Sequence, residues 1–146
     1  MHALVTGGAG FIGSHLCDSL AKHNWETTIV DNFSTGSIEN IQHLLKQMPQ
    51  EVKLLKGDCT NPVHIKKALK NVEVVFHLTA NPEVRLELSD PQTCFQQNIY
   101  ATYILLQQLR DNPKTHTIIF ASTSTIYGEP ETIPTPENYA PLLPIS

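Results

Sequence analysis

The chain has little of what marks several common protein classes. Its 146 residues include only three cysteines, Cys17, Cys59 and Cys94, widely spaced and without a Cys-x-x-Cys. That argues against a disulfide framework or a cysteine zinc site and suits free thiols in a reducing cytoplasm. No apolar stretch approaches the roughly 20 residues of a membrane span. The N-terminus lacks a charged segment followed by an apolar one, so no signal peptide is read. No long run of one charge occurs and the net charge is only −4. Neither a nucleic-acid surface nor a polybasic membrane patch is therefore expected. Internal repeats and low-complexity segments are absent too. What remains is a globular composition, 40% hydrophobic and 16% charged, sufficient for one domain with a real core.

Short apolar runs alternate with helical patterns. Candidate strands are Ala3–Val5, Thr27–Val30, Val52–Leu55, Val72–Phe76 and Thr117–Ala121. They are continuous and rich in Val and Ile, as expected of parallel strands covered on both faces. Between them lie helical patterns at Phe11–Lys22, Ser37–Gln47, Pro62–Lys70 and from about Pro91 to Arg110. Asn61-Pro62 and Asp90-Pro91 each read as a capping residue followed by proline at the first helical position. The alternation predicts a doubly wound α/β fold with about five strands. From Gly128 onward periodicity ends, and half of the ten prolines fall between Pro130 and Pro144. That segment is expected to be a loop.

The first strand runs into Gly7-Gly8-Ala9-Gly10-Phe11-Ile12-Gly13 and then a helix. The turn reads either as Gly8-x-Gly10-x-x-Gly13 or as the wider Thr6-Gly7-x-x-Gly10-x-x-Gly13. Both spacings supply a tight turn, close approach to phosphate and close helix–strand packing at a helix N-terminus. A purely structural glycine turn is the plainer alternative. Eighteen residues past Gly13, the second strand ends in Asp31. There a carboxylate can hold both ribose hydroxyls, and no Arg or Lys follows closely to receive a 2′-phosphate, which favours NAD over NADP. Asp31 could otherwise be a solvated loop residue. Asp58, after the third strand, could accept from an adenine amino group or cap the next helix. His77 ends the fourth strand. With no second histidine at ligand spacing, it reads as packed or backbone-bonded, and no metal site is expected. Ser122, Thr123 and Ser124 follow the fifth strand, either as hydroxyls that orient a substrate or as ordinary loop residues.

Together, Thr6–Gly13, Asp31–Gly36, Gly57-Asp58, His77–Ala80, Asn81–Arg85, Asn98 and Ser122–Gly128 resemble the extended short-chain dehydrogenase/reductases, especially their NAD-dependent sugar-nucleotide epimerases and dehydratases. The resemblance implies a Rossmann-type sheet with NAD as cofactor. It implies that Gly7, Gly10, Phe11, Ile12 and Gly13 hold the pyrophosphate. Asp31, Asn32, Ser34, Thr35 and Gly36 would hold the adenosine ribose, and Asp58 and Cys59 the adenine. Leu78, Thr79 and Ala80 would line the dinucleotide, with Thr79 standing where alanine is more usual, and Asn98 and Ser122 would support it. Thr123 matches the family's catalytic Ser/Thr, while Glu83, Arg85 and Ser124 would approach a nucleotide-sugar substrate. The implied reaction is 4-epimerisation: oxidation at sugar C4, rotation of the keto sugar and re-reduction. A dehydratase or reductase of the same superfamily, or a short non-catalytic dinucleotide module, remains an alternative.

In this family a Tyr-x-x-x-Lys pair performs the acid–base step. Tyr100, Tyr103, Tyr127 and Tyr139 are followed four residues later by Ile104, Gln107, Glu131 and Leu143. None fits. The family's pair follows a Pro-x-Ser segment, which here is Pro144-Ile145-Ser146. The reading is thus an incomplete NAD-binding domain over 1–128 and a Pro-rich loop over 129–146. The catalytic helix and C-terminal substrate domain are expected beyond it. Inactivity of this fragment and association into a homo-oligomer are the corresponding expectations.

Overall fold

The computed structural model describes residues 1–83 and 89–139. Five strands form one parallel sheet: β1 (His2–Thr6), β2 (Glu26–Asp31), β3 (Val52–Lys56), β4 (Val74–His77) and β5 (Thr117–Phe120). Their order is β3-β2-β1-β4-β5. The chain steps outward from β1 to β3, then returns to the other side of β1 for β4 and β5. The loops leaving β1 and β4 therefore diverge, opening a crevice at the strands' C-terminal ends.

The side-chain alternation of the strands sorts the apolar residues into two cores. Ala3, Val5 and Ile29 face α1 (Phe11–Lys22) and α2 (Gln42–Gln47), where Cys17, Leu20, Ala21 and Leu44 are buried. Leu4, Val30 and Val75 face α3 (Pro62–Ala68) and α5 (Ala101–Arg110), meeting Ile65, Ala68, Ile104 and Leu105. A continuous apolar strand is thus required by helices on both faces.

α1 has the bounds read from the sequence, and the proline-headed helices are capped as expected. The Asn61 carboxamide oxygen accepts from Val63 N–H at 2.9 Å. Asp90 accepts from Thr93 N–H at 3.1 Å at the start of α4 (Pro91–Cys94). Four expectations about the elements are corrected. The pattern at Ser37–Gln47 divides into a 3-10 turn, Ile38–Asn40, and α2. The long helix is interrupted by a π-helical stretch, Phe95–Tyr100, between α4 and α5. Strand β4 starts at Val74 because Val72 N–H is drawn back to Leu69 O, closing the turn after α3. β5 is also not covered on both faces: Ile118, Ile119 and Phe120 are 42%, 45% and 55% exposed on this edge strand. Arg85 and Pro144-Ile145-Ser146 lie outside the described residues.

Candidate functional site

The glycine turn is a packing device before it is anything else. Gly7 has φ +70°, and a Cβ there would lie 3.0 Å from the Leu78 carbonyl and Thr79 N. A Cβ on Gly13 would collide with the Gly7 carbonyl oxygen and approach Gly8 Cα to 2.7 Å. The turn is thereby pressed against both α1 and the loop after β4. Gly10 heads α1 in extended conformation, and no side chain caps that helix. The first-turn N–H groups of Phe11, Ile12 and Gly13 thus keep the anion-attracting character of a helix N-terminus. The Phe11 and Ile12 side chains are themselves exposed.

Asp31, the last residue of β2, is buried rather than solvated. Its Oδ2 accepts from Ala9 N–H at 2.9 Å and its Oδ1 from Phe33 N–H at 2.8 Å. One carboxylate thus joins the glycine turn to the loop after β2 and keeps lone pairs for a hydroxyl ligand. Asn32 accepts from Ser34 N–H and donates to Asp58 Oδ2 at 3.0 Å. Asp58 Oδ1 accepts from the Thr60 N–H and hydroxyl at 2.8 and 2.7 Å. Burial works against the Asp58 charge, but the bonds from Thr60 and Asn32 and the nearby His64 outweigh it. The carboxyl is held below its ordinary range. The sequence left Asp58 open as a helix cap; Asn61 fills that role.

Most of the expected cofactor residues line one cleft; Phe11, Ile12, Gly13 and Asn98 are not part of its lining. Gly7 and Gly10 form one end, the Asp31–Gly36 loop one side, Gly57–Thr60 the other, and Leu78–Ala80 the far wall. Cys59 is buried in it, its Sγ 3.4 Å from Thr79 Oγ1, and burial pushes the thiol up to about 11. Burial thus disfavours its thiolate. Gln97, Ala101 and Thr60 also line the cleft and escaped the sequence reading. A signal for two of them existed: Gln97 and Ala101 are four apart on one helical face. Gln97 Oε1 accepts from Asn81 Nδ2, and Asn98 Oδ1 from Asn81 N–H, both at 2.7 Å.

His77 is buried and bonded through side chains, not backbone. Its Nδ1 lies 2.7 Å from Thr6 Oγ1 and its Nε2 3.0 Å from Thr102 Oγ1. Burial pushes the imidazole down to about 4, so it is neutral at pH 7. Ser122, Thr123 and Ser124 are exposed beyond β5 and outside the cleft lining. Thr123 Oγ1 accepts from Thr125 N–H at 3.3 Å, capping the 3-10 turn Ser124–Tyr127. Glu83 is exposed, its N–H bonded to Asn81 Oδ1 at 2.9 Å. No cluster of His, Cys, Asp and Glu suited to a metal occurs among the described residues. No helix among them is long and apolar enough to cross a membrane.

Residues 4–146 match the family described as GDP-mannose 4,6 dehydratase. The chain belongs to that family. It also resembles nucleotide-sugar epimerases in sequence and structure. It is 33% identical over 138 residues to UDP-glucose 4-epimerase of Corynebacterium glutamicum, covering 94% of this chain and 40% of that protein. A crystal structure of UDP-galactose 4-epimerase superposes with TM-score 0.77 at 40% identity, over 100% of this chain and 46% of that one. Thermus thermophilus UDP-glucose 4-epimerase, crystallised with NAD, gives TM-score 0.78 at 31% identity, over 99% and 44%. The chain spans less than half the length of these relatives.

Proposed function

We propose that this chain is the NAD-binding portion of a nucleotide-sugar 4-epimerase. The observation that carries the reading is the buried Asp31 carboxylate, tied to Ala9 and Phe33 beside an uncapped helix start. Its remaining lone pairs suit the two hydroxyls of an unphosphorylated ribose and repel a 2′-phosphate. The α1 N–H groups suit a pyrophosphate, Asn32 and Asp58 bound the adenine end, and Leu78–Ala80 wall the rest. NAD, when bound, supplies reversible hydride acceptance at the sugar carbon. In this reading residues 1–128 form the cofactor body, and 129–146 lead towards the acid–base helix and substrate domain of the full-length enzyme. Thr123 orients a sugar hydroxyl, with Glu83, Arg85 and Ser124 towards the substrate. An unperturbed hydroxyl is almost never ionised at neutral pH, so Thr123 alone is no base. The 146-residue chain therefore binds cofactor without turnover. The free thiols fit a cytoplasmic enzyme, and the exposed β5 edge fits association with further protein.

Calorimetric titration tests the reading. Saturable NAD binding is expected, tighter than NADP, with the preference lost in Asp31→Ala. Absence of saturable NAD binding at millimolar concentration, or a preference that survives Asp31→Ala, would overturn it. Epimerisation of a UDP-sugar by the pure chain would refute the claim of inactivity.

A further inference from the structure

The Leu78–Ala80 wall of the cleft is tied at its start to one buried imidazole through the Thr6 hydroxyl. The Thr6 hydroxyl oxygen lies 3.2 Å from Leu78 N and 3.4 Å from Thr79 N and accepts from both, Leu78 N–H being shared with the Thr6 backbone carbonyl at 3.2 Å. A separate tie lies beyond the wall, where the Asn98 side chain accepts from Asn81 N–H at 2.7 Å. Thr102 points to the direction of the bonds to the ring. Its hydroxyl donates to the Asn98 backbone carbonyl at 2.8 Å, so towards His77 it accepts. The proton between them therefore sits on His77 Nε2. Neutral His77 then has a bare Nδ1, which accepts from Thr6. With two N–H groups accepted and one proton donated, the Thr6 hydroxyl is fully used. Asn98 stands in the π-helical stretch, a local widening that often marks a functional position.

We propose that His77 is a positioning residue: as the Nε2–H tautomer, anchored on Thr102, it fixes the Thr6 hydroxyl that carries the Leu78–Thr79 end of the cofactor-facing wall of the cleft. Its role towards a dinucleotide rests on the reading above; the bond directions do not. A residue that merely filled space would be replaceable by phenylalanine. A relay is replaceable only in halves. Asparagine places an acceptor where Nδ1 stands and serves the Thr6 arm, whereas glutamine places a donor where Nε2 stands and serves the Thr102 arm.

Nitrogen-15 NMR of the wild-type imidazole at pH 7 should show protonated Nε2 and bare Nδ1. A proton on Nδ1 would overturn the proposal without any variant. Amide exchange then separates the arms. In His77→Asn, protection should persist at Thr79; in His77→Gln it should fall there roughly tenfold, while Asn81, held by the Asn98 side chain, stays protected in both. Unchanged protection at Thr79 in a folded His77→Phe would overturn the relay. NAD affinity should fall roughly tenfold in His77→Phe. Because the tautomer and exchange readouts need no cofactor, a chain that failed to bind NAD would refute the proposed function and leave the relay standing on its own test.

Discussion

A methyl group at residue 13 has nowhere to go. The carbonyl oxygen of Gly7 and the Cα of Gly8 occupy the space, and both belong to a turn already braced against β4. Gly13→Ala should destabilise the chain by about 1–3 kcal/mol, read as a lower urea midpoint with unchanged slope. Asp31→Asn tests a different constraint. Ala9 N–H and Phe33 N–H each require an acceptor, and a carboxamide offers only one oxygen. A cost of about 1–3 kcal/mol is expected even without ligand. His77 gives the chain a pH signature. Its ordinary value is 6.5 and its folded value about 4, so between these the unfolded chain takes up a proton that the folded chain refuses. Stability is complete above pH 6.5 and is lost as pH falls towards 4, by at most about 3 kcal/mol. Asp58, held below its ordinary range, adds a further loss in stronger acid. Urea midpoints that stay flat from pH 7 to 4 would contradict this account.

At the scale of elements, the caps offer a clean comparison. Asn61→Ala should cost about 1 kcal/mol by removing the acceptor for Val63 N–H, measurable by thermal unfolding. That cap was legible in the sequence because its partner is two residues away. The strand runs and α1 were legible for a related reason, since their periodicity is local. The π-helical stretch was not, because apolar spacing in Pro91–Arg110 hardly distinguishes a widened turn from a regular one. The role of Asn32 with Asp58, 26 residues apart, also needed the fold. So did the partners of His77: Thr6 lies 71 residues away and Thr102 lies 25 away. The sequence could show that His77 lacked companions for a metal, but not that two threonines oriented its ring. The exposure of β5 was hidden too, since an apolar strand reads alike whether or not an element lies against it.

For the whole molecule, the decisive asymmetry is between the sheet's middle and its β5 edge. Around β1 every strand face is packed, whereas Ile118, Ile119 and Phe120 join Ile99, Tyr103 and Leu106 as exposed apolar residues. Such surface promotes association. Sedimentation of the 146-residue chain should show self-association that rises with concentration, and Ile119→Lys should weaken it. A stable monomer at high concentration would count against that expectation. The cleft lies away from this problem. Its lining residues run from Gly7 to Ala101, supplied by the loops after the first four strands and by the helix before β5. On a ribosome, the pocket's whole recipe would leave the exit tunnel before β5. A small ligand that binds only the folded form stabilises it by mass action. The nascent chain could thus be steadied by cofactor while the rest of the protein was still being made.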